Sequence, residues 1–281
     1  VPESFGDRLR ATFAAAGQLC VGIDPHPYLL ADWGLADTAE GAREFGLRVV
    51  HAAAGQVGLV KPQIAFFERF GSAGFQALET VLAEARAASL MVIADVKRGD
   101  VGSTVEAYGQ AWLTPGSPLE ADAITVSAYQ GVASLGAVRD LAVAGGKGLF
   151  ILCATSNPES FDTQRALVQH GPHTGRTVAA AIAAQVGDWN AGADVGSFGL
   201  VVGATVDLPS YGIDPSELIG TPLLAPGFGH QGAQFSDIRS IYGAAADTVV
   251  VSASRSILDA GPSRVGDAIR VQATEVALCL A

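Results

Sequence analysis

Basic residues are scarce in this 281-residue sequence: 17 Lys plus Arg stand against 28 Asp plus Glu, a formal net charge of −11. The cationic excess that supplies most nonspecific affinity for nucleic acid is missing, so no nucleic-acid polymer is expected as a partner. An anionic small molecule remains compatible, because a few local cations and backbone N–H groups suffice to hold a phosphate inside an acidic protein. Cysteine is nearly absent too. Cys20, Cys153 and Cys279 are odd in number, lack metal-ligand spacing and read as buried thiols of a reducing compartment. No apolar window reaches the roughly 18 residues of a membrane span, and residues 1–17 carry both charge signs without a signal-peptide core. The expected setting is the cytoplasm, with no membrane partner.

The chain also lacks any Pro/Ser-rich linker or break in composition. With 49% hydrophobic and 16% charged residues it has the material for a sizeable core. Eight short runs rich in Val, Ile and Leu recur at 19–23, 57–60, 90–94, 123–126, 148–152, 198–202, 222–225 and 248–251. They are unbroken rather than alternating, as strands buried on both faces of a parallel sheet should be. Stretches of helical periodicity lie between them, among them 39–54, 74–88, 131–144, 176–188 and 263–278. Dividing 281 by eight gives about 35 residues per strand-helix unit. The pattern predicts an α/β fold: a single (β/α)8 TIM barrel over residues 1–281, with strand and helix alternating throughout. A doubly wound open sheet is the alternative, but it would carry a glycine-rich loop after its first strand, where this chain has Asp24-Pro25-His26.

Polar groups close most of the apolar runs: Asp24, Lys61, Asp95 with Lys97 and Asp100, Ser127, residues 227–231, and Arg255. Taken singly, each reads as a strand-end cap or a surface charge. Together, in a barrel whose strand ends converge on one mouth, they mark an active site. In the run from Val92 to Asp100, Asp95 and Lys97 are two apart, so an extended strand end turns both to one side as a close ion pair. Asp100 lies past the Gly99 turn and is free to point elsewhere. Glycines in residues 226–232 allow close backbone approach after the seventh strand, and Arg255 follows the eighth. Loops after strands 7 and 8 are the common phosphate site of such barrels. Residues 206–218 and the loop after Gln231 are candidates to close over it, while His230 is given no role.

Asp95-Val96-Lys97-Arg98-Gly99-Asp100 fits the Asp-x-Lys-x-x-Asp motif of the orotidine 5′-phosphate decarboxylase superfamily. The chain resembles that family's bacterial type 2 branch over most of its length. The likeness includes Val21-Gly22-Ile23-Asp24-Pro25, Val60-Lys61-Pro62-Gln63, Thr125-Val126-Ser127-Ala128-Tyr129, Thr155-Ser156-Asn157-Pro158, Val202-Gly203-Ala204-Thr205, the 226–232 loop, and Ser254-Arg255-Ser256-Ile257. Many members have Gly where this chain has Ser254. The resemblance implies conversion of orotidine 5′-phosphate to UMP and CO2 in pyrimidine biosynthesis, with no metal or organic cofactor. It implies an alternating array of Lys61, Asp95, Lys97 and Asp100, with Lys97 as proton donor. Asp24 and Lys61 would hold the ribose hydroxyls, Ser127 the pyrimidine edge, and Gly229, Gln231, Ser254 and Arg255 the phosphate end. Asp100 and Thr104 would reach a neighbouring subunit's site, which implies a homodimer with shared active sites. Two other readings stay open: a Mg²⁺-dependent sugar-phosphate aldolase or decarboxylase of the same superfamily, against which Lys61 argues, and a noncatalytic phosphate-binding barrel, against which the Asp95/Lys97 pair argues.

Overall fold

The eight apolar runs become eight parallel strands in the computed structural model, which describes residues 2–229 and 232–281. They are β1 (Leu19–Ile23), β2 (Leu59–Pro62), β3 (Met91–Arg98), β4 (Ala123–Val126), β5 (Gly148–Ala154), β6 (Phe198–Val202), β7 (Leu223–Pro226) and β8 (Val249–Ala253). Each pairs with the next in chain order, and β8 closes on β1 with Leu19 opposite Val251. Strands β1, β4 and β6 coincide with their apolar runs. Others run on into polar residues, β2 through Lys61 and β3 through Asp95 and Lys97 to Arg98. Backbone pairing rather than side-chain hydropathy decides where a strand stops, so these site residues lie on strands and not beyond them.

Alternation along the strands divides the core. Cys20, Leu59, Ile93, Phe150, Leu224 and Val250 fill the barrel interior, while neighbours such as Val21, Val60, Val92 and Ile124 face the surrounding helices. Each fully buried aliphatic side chain contributes about 2 kcal/mol. The outer layer includes helices Ala39–Ala53, Gly71–Ala87, Gly102–Leu113, Gly136–Gly145, Val178–Trp189 and Val265–Leu280. Thr38 and Thr177 cap two of these, their hydroxyls accepting from the Gly41 and Ala180 N–H groups.

A further helix, Phe5–Ala16, precedes β1 and plugs the N-terminal end of the barrel. Phe5 stands edge-on to Phe150 with ring centroids 6.0 Å apart. It fits because Gly148, at the start of β5, has no side chain: a Cβ there would lie 2.5 Å from the Phe5 ring.

Strand and helix do not alternate throughout, however. Between β6 and β7 the chain makes two short 3-10 turns, Leu208–Tyr211 and Pro215–Leu218, in place of an α-helix. Pro209 and Pro215 remove backbone donors, and Gly212 holds a left-handed φ of 68°, which together stop any longer helix. Val206, Leu208, Tyr211, Ile213 and Leu218 in this stretch are buried in the core, so the proposed closing loop at 206–218 is anchored by its side chains. The helix expected over 131–144 is likewise split, into a 3-10 turn at Val132–Leu135 and the helix Gly136–Gly145. Among the described residues no helix is long and apolar enough to cross a membrane.

Candidate active site

A cavity of about 360 Å³ opens at the C-terminal mouth of the barrel. Of the residues expected there from the sequence, Asp24, Lys61, Asp95, Lys97, Ser254 and Arg255 line it. At its floor Lys61 Nζ lies 3.2 Å from Asp95 Oδ2, and Lys97 Nζ lies 2.7 Å from Asp95 Oδ1. The Lys61 and Asp95 side chains are only 8% and 9% exposed, whereas that of Lys97 is 45% exposed and faces the opening.

Gln63 and Thr125, neither of which carries an expected role, complete the grip on Asp95. Gln63 Nε2 donates to Oδ2 at 3.0 Å, and the Thr125 hydroxyl donates to Oδ1 at 2.8 Å. Thr125 also accepts from the Lys97 backbone N–H at 2.9 Å, so one hydroxyl positions both members of the pair. The signal for these two was register: Gln63 is bridged to Asp95 across β2 and β3, and Thr125 lies on β4 beside β3. Both Asp95 oxygens therefore carry two donors each, and the carboxylate has no free rotation.

The ion pair between Asp95 and Lys97 forms, but not by simple extension. Lys97 has φ 49°, and the pairing of β3 with β4 shifts between Ala94 and Arg98. A left-handed lysine costs about 1–2 kcal/mol, of which an ion pair from a half-exposed side chain to Asp95 offsets only part.

Burial works against charge at this floor, and the partners overcome it. For Asp95, desolvation alone would raise the pKa, yet Lys61, Lys97 and the hydrogen bonds from Lys97 and Thr125 hold it well below the usual carboxylate range. Desolvation would likewise neutralise Lys61, yet Asp95 and Asp24 keep it a firmly protonated ammonium. Cys20, beneath the array, has its thiol pushed up to about 12, chiefly by burial, and is no nucleophile at neutral pH. Among the described residues no group of three or more His, Cys, Asp or Glu side chains is arranged as a metal site.

His26 also lines the cavity, its ring 4.1 Å from that of Phe66 between centroids. Burial lowers its pKa, with Asp24 acting to raise it and Arg255 to lower it. Its place directly after Asp24-Pro25 was the only hint in the sequence.

Four expected site residues are not on the cavity's described wall. Asp100 folds back on its own loop, its Oδ1 accepting from the Val101 N–H at 2.9 Å, and joins no ion pair among the described residues. Thr104 is exposed on helix Gly102–Leu113. Ser127 lies beneath the Gly99 turn, which packs so closely that a Cβ on Gly99 would sit 2.3 Å from the Ser127 carbonyl oxygen. Gly229 is exposed. Gln231, like His230, lies outside the described residues.

Known proteins are similar to this chain in fold and in sequence. Residues 17–268 match the family described as Orotidine 5'-phosphate decarboxylase / HUMPS. Curated relatives named orotidine 5'-phosphate decarboxylase are 50% identical in Streptomyces coelicolor and 49% in Salinispora arenicola, each match covering 92% of this chain and 91% of the relative. A crystal structure from Streptomyces avermitilis, 47% identical, superposes with a TM-score of 0.93 over 99% of this chain and 96% of that one. The Leishmania donovani OMP decarboxylase, 30% identical, does so at 0.74 over 99% of both chains. With well over half the sequence matched and near-half identity along almost its whole length, the chain belongs to the orotidine 5′-phosphate decarboxylase / HUMPS family.

Proposed function

We propose that this chain removes CO2 from orotidine 5′-phosphate to give UMP, as a cytoplasmic homodimeric enzyme of pyrimidine biosynthesis. The observation that carries the reading is the Lys61–Asp95–Lys97 array at the cavity floor. Cleaving the bond between the ring carbon and its carboxylate leaves the electron pair on an sp² carbon with no internal electron sink. A fixed ammonium beside that carbon stabilises the pair electrostatically and then donates a proton to it. Lys97 is the cation at the floor that faces the opening. Carbon dioxide departs, the ring carbon gains the proton, and Lys97 recovers its own from water.

Asp95 would sit against the departing carboxylate. At about 4 Å and an effective dielectric near 20, two such charges repel by roughly 4 kcal/mol. With both oxygens held by Lys61, Gln63, Lys97 and Thr125, Asp95 cannot swing away to escape that repulsion. Loss of CO2 relieves it, although stabilisation of the carbanion by Lys97 carries more of the effect. Asp24 and Lys61 take the ribose hydroxyls, Ser127 the pyrimidine edge, and Arg255 with Gly229, Gln231 and the backbone N–H of Ser254 the phosphate end. The phosphate is remote from the reacting carbon, so its binding energy is available to order the site.

A Mg²⁺-dependent reaction is less well supported, because an ammonium holds each oxygen of Asp95 and leaves it unsuited as a cation ligand. Loss of orotidine 5′-phosphate absorbance in the presence of EDTA tests the choice. Turnover that vanishes with the chelator, or never occurs, defeats the reading.

Asp100 and Thr104 act in the neighbouring subunit's site. Their position off the described wall supports this, as do exposed Val101, Tyr108 and Tyr129 on the adjoining segments. Mixing inactive Lys97→Ala and Asp100→Ala proteins should then restore activity. Random exchange puts about half the dimers in the mixed state with one intact site each, for about a quarter of wild-type activity. No recovery, with subunit exchange confirmed by mass, would put Asp100 in its own subunit's site.

A further inference from the structure

Asp24 follows β1 and Ser254 follows β8, the two strands that close the barrel. Their side chains meet at the cavity wall. The Ser254 hydroxyl donates to Asp24 Oδ2 at 2.5 Å, a short charge-assisted bond. The other oxygen, Asp24 Oδ1, is buried and has no hydrogen-bond partner among the described residues. A bare buried carboxylate oxygen is costly unless a donor completes it, and because Asp24 lines the cavity a hydroxyl of a bound ligand is one donor that can do so.

Two further facts fix the geometry. Ser254 rests on naked backbone: a Cβ on Gly22 would lie 2.6 Å from the Ser254 Cβ, so the approach of β8 to β1 sets where the hydroxyl stands. Lys61 lines the same cavity, yet its ion pair is with Asp95, and none joins it to Asp24 among the described residues.

We propose that Ser254 is a positioning residue whose hydroxyl holds Asp24 Oδ2, keeps that carboxylate off Lys61, and leaves Oδ1 to accept from a sugar hydroxyl of the bound nucleotide. The inference rests on the proposed nucleotide chemistry and adds to it a side chain that acts only through Asp24. Without the hydroxyl, Asp24 loses the one hydrogen bond its carboxylate makes among the described residues. The nearby Lys61 ammonium then competes for it, and the oxygen meant for the sugar is turned away.

The test combines steady-state kinetics on orotidine 5′-phosphate with calorimetric binding of UMP and of its 2′-deoxy and 3′-deoxy counterparts. Ser254→Ala should raise KM and the UMP Kd by about tenfold, the scale of one hydrogen bond to a charged group, and change kcat by less than about threefold. The deoxy nucleotide that lacks the Asp24-bound hydroxyl should bind Ser254→Ala and wild type alike. In an Asp24→Asn background, Ser254→Ala should add less than a twofold loss. The inference is overturned by an unchanged KM and UMP Kd, by equal losses on UMP and both deoxy nucleotides, or by a full penalty that persists beside Asp24→Asn. A wild-type protein that neither turns over orotidine 5′-phosphate nor binds UMP would instead overturn the nucleotide reading beneath it.

Discussion

At the N-terminal end of the barrel, Arg8 donates to Asp122 at 2.6 Å and to the Gly146 carbonyl at 2.8 Å, while Lys147 meets Glu120 at 2.7 Å. The second Asp122 oxygen accepts from the Val92 N–H. At the C-terminal end, two lysines share Asp95, and an oxygen of Asp24 has no partner among the described residues. Both ends use the same residue types. At the bottom each cation has its own anion, spare valences go to backbone, and helix Phe5–Ala16 covers the opening. Charge there is spent on holding the fold. The mouth is left with a cation facing a cavity and a carboxylate oxygen without a donor among the described residues, an incomplete network that a ligand carrying both an anion and hydroxyls can finish. The difference separates charge that stabilises from charge that is kept available.

That division predicts which substitutions damage activity and which damage stability. The largest effect should come from Lys97→Ala, which removes the cation and proton donor but only a half-exposed side chain. Turnover should fall at least 1,000-fold, about 4 kcal/mol of barrel-mouth chemistry, with the thermal midpoint nearly unchanged. Activity within about tenfold of wild type would break the assignment. At the other end, Lys147→Met strands Glu120 and should lower stability by about 3 kcal/mol in urea unfolding, with kcat/KM per folded molecule unaltered. A loss of kcat/KM there would show that the two ends are not independent.

Arg255→Ala should raise KM for orotidine 5′-phosphate about a hundredfold, roughly 2.7 kcal/mol, and lower kcat as well, yet leave the slow turnover of phosphate-free orotidine almost unaffected. An equal penalty on both substrates would remove Arg255 from the phosphate. The smallest effect concerns acid. Burial alone would raise the Glu120 pKa, but the Lys147 hydrogen bond and the Gly116 N–H hold it below its ordinary value. A depressed carboxylate stabilises above its unfolded pKa of about 4.3, and that contribution disappears as pH falls through the folded value. The difference in thermal midpoint between wild type and Glu120→Gln should therefore be constant from pH 7 to about 5 and shrink below about 4. A difference that holds to pH 3 would mean the carboxylate's charge is not what stabilises the bottom.

Much of the barrel and of its mouth was legible in the sequence, and the reasons are physical. Unbroken apolar runs announce strands buried on both faces, and polar residues immediately after them announce the mouth. Asp24, Lys61, Asp95, Lys97 and Arg255 are legible this way, and Ser254 through the family resemblance. What stayed hidden depends on contacts distant in sequence. Thr125 orients both Asp95 and Lys97 across β4, and Ser254 reaches Asp24 over 230 positions, so neither role has a local signature. The plug helix Phe5–Ala16 buries chiefly Phe5, Gly6 and Leu9, too sparse a stripe to announce itself. The β6–β7 connection, read as a candidate to close over the phosphate, carries apolar residues that pack as turns around two prolines and anchor it in the core, a burial that its sequence does not announce.

Lys97 is one of two non-glycine residues with positive φ among those described, and it is the one at the chemistry. Glycine would relax that backbone, while a lysine there is retained against a conformational cost of about 1–2 kcal/mol. A copy of this chain released from selection for turnover would gain stability by exchanging the residue that does the work. In laboratory evolution screened for thermal resistance alone, Lys97 is therefore a position where improvement and inactivation arrive in the same codon change, and such a screen needs a parallel check on catalysis.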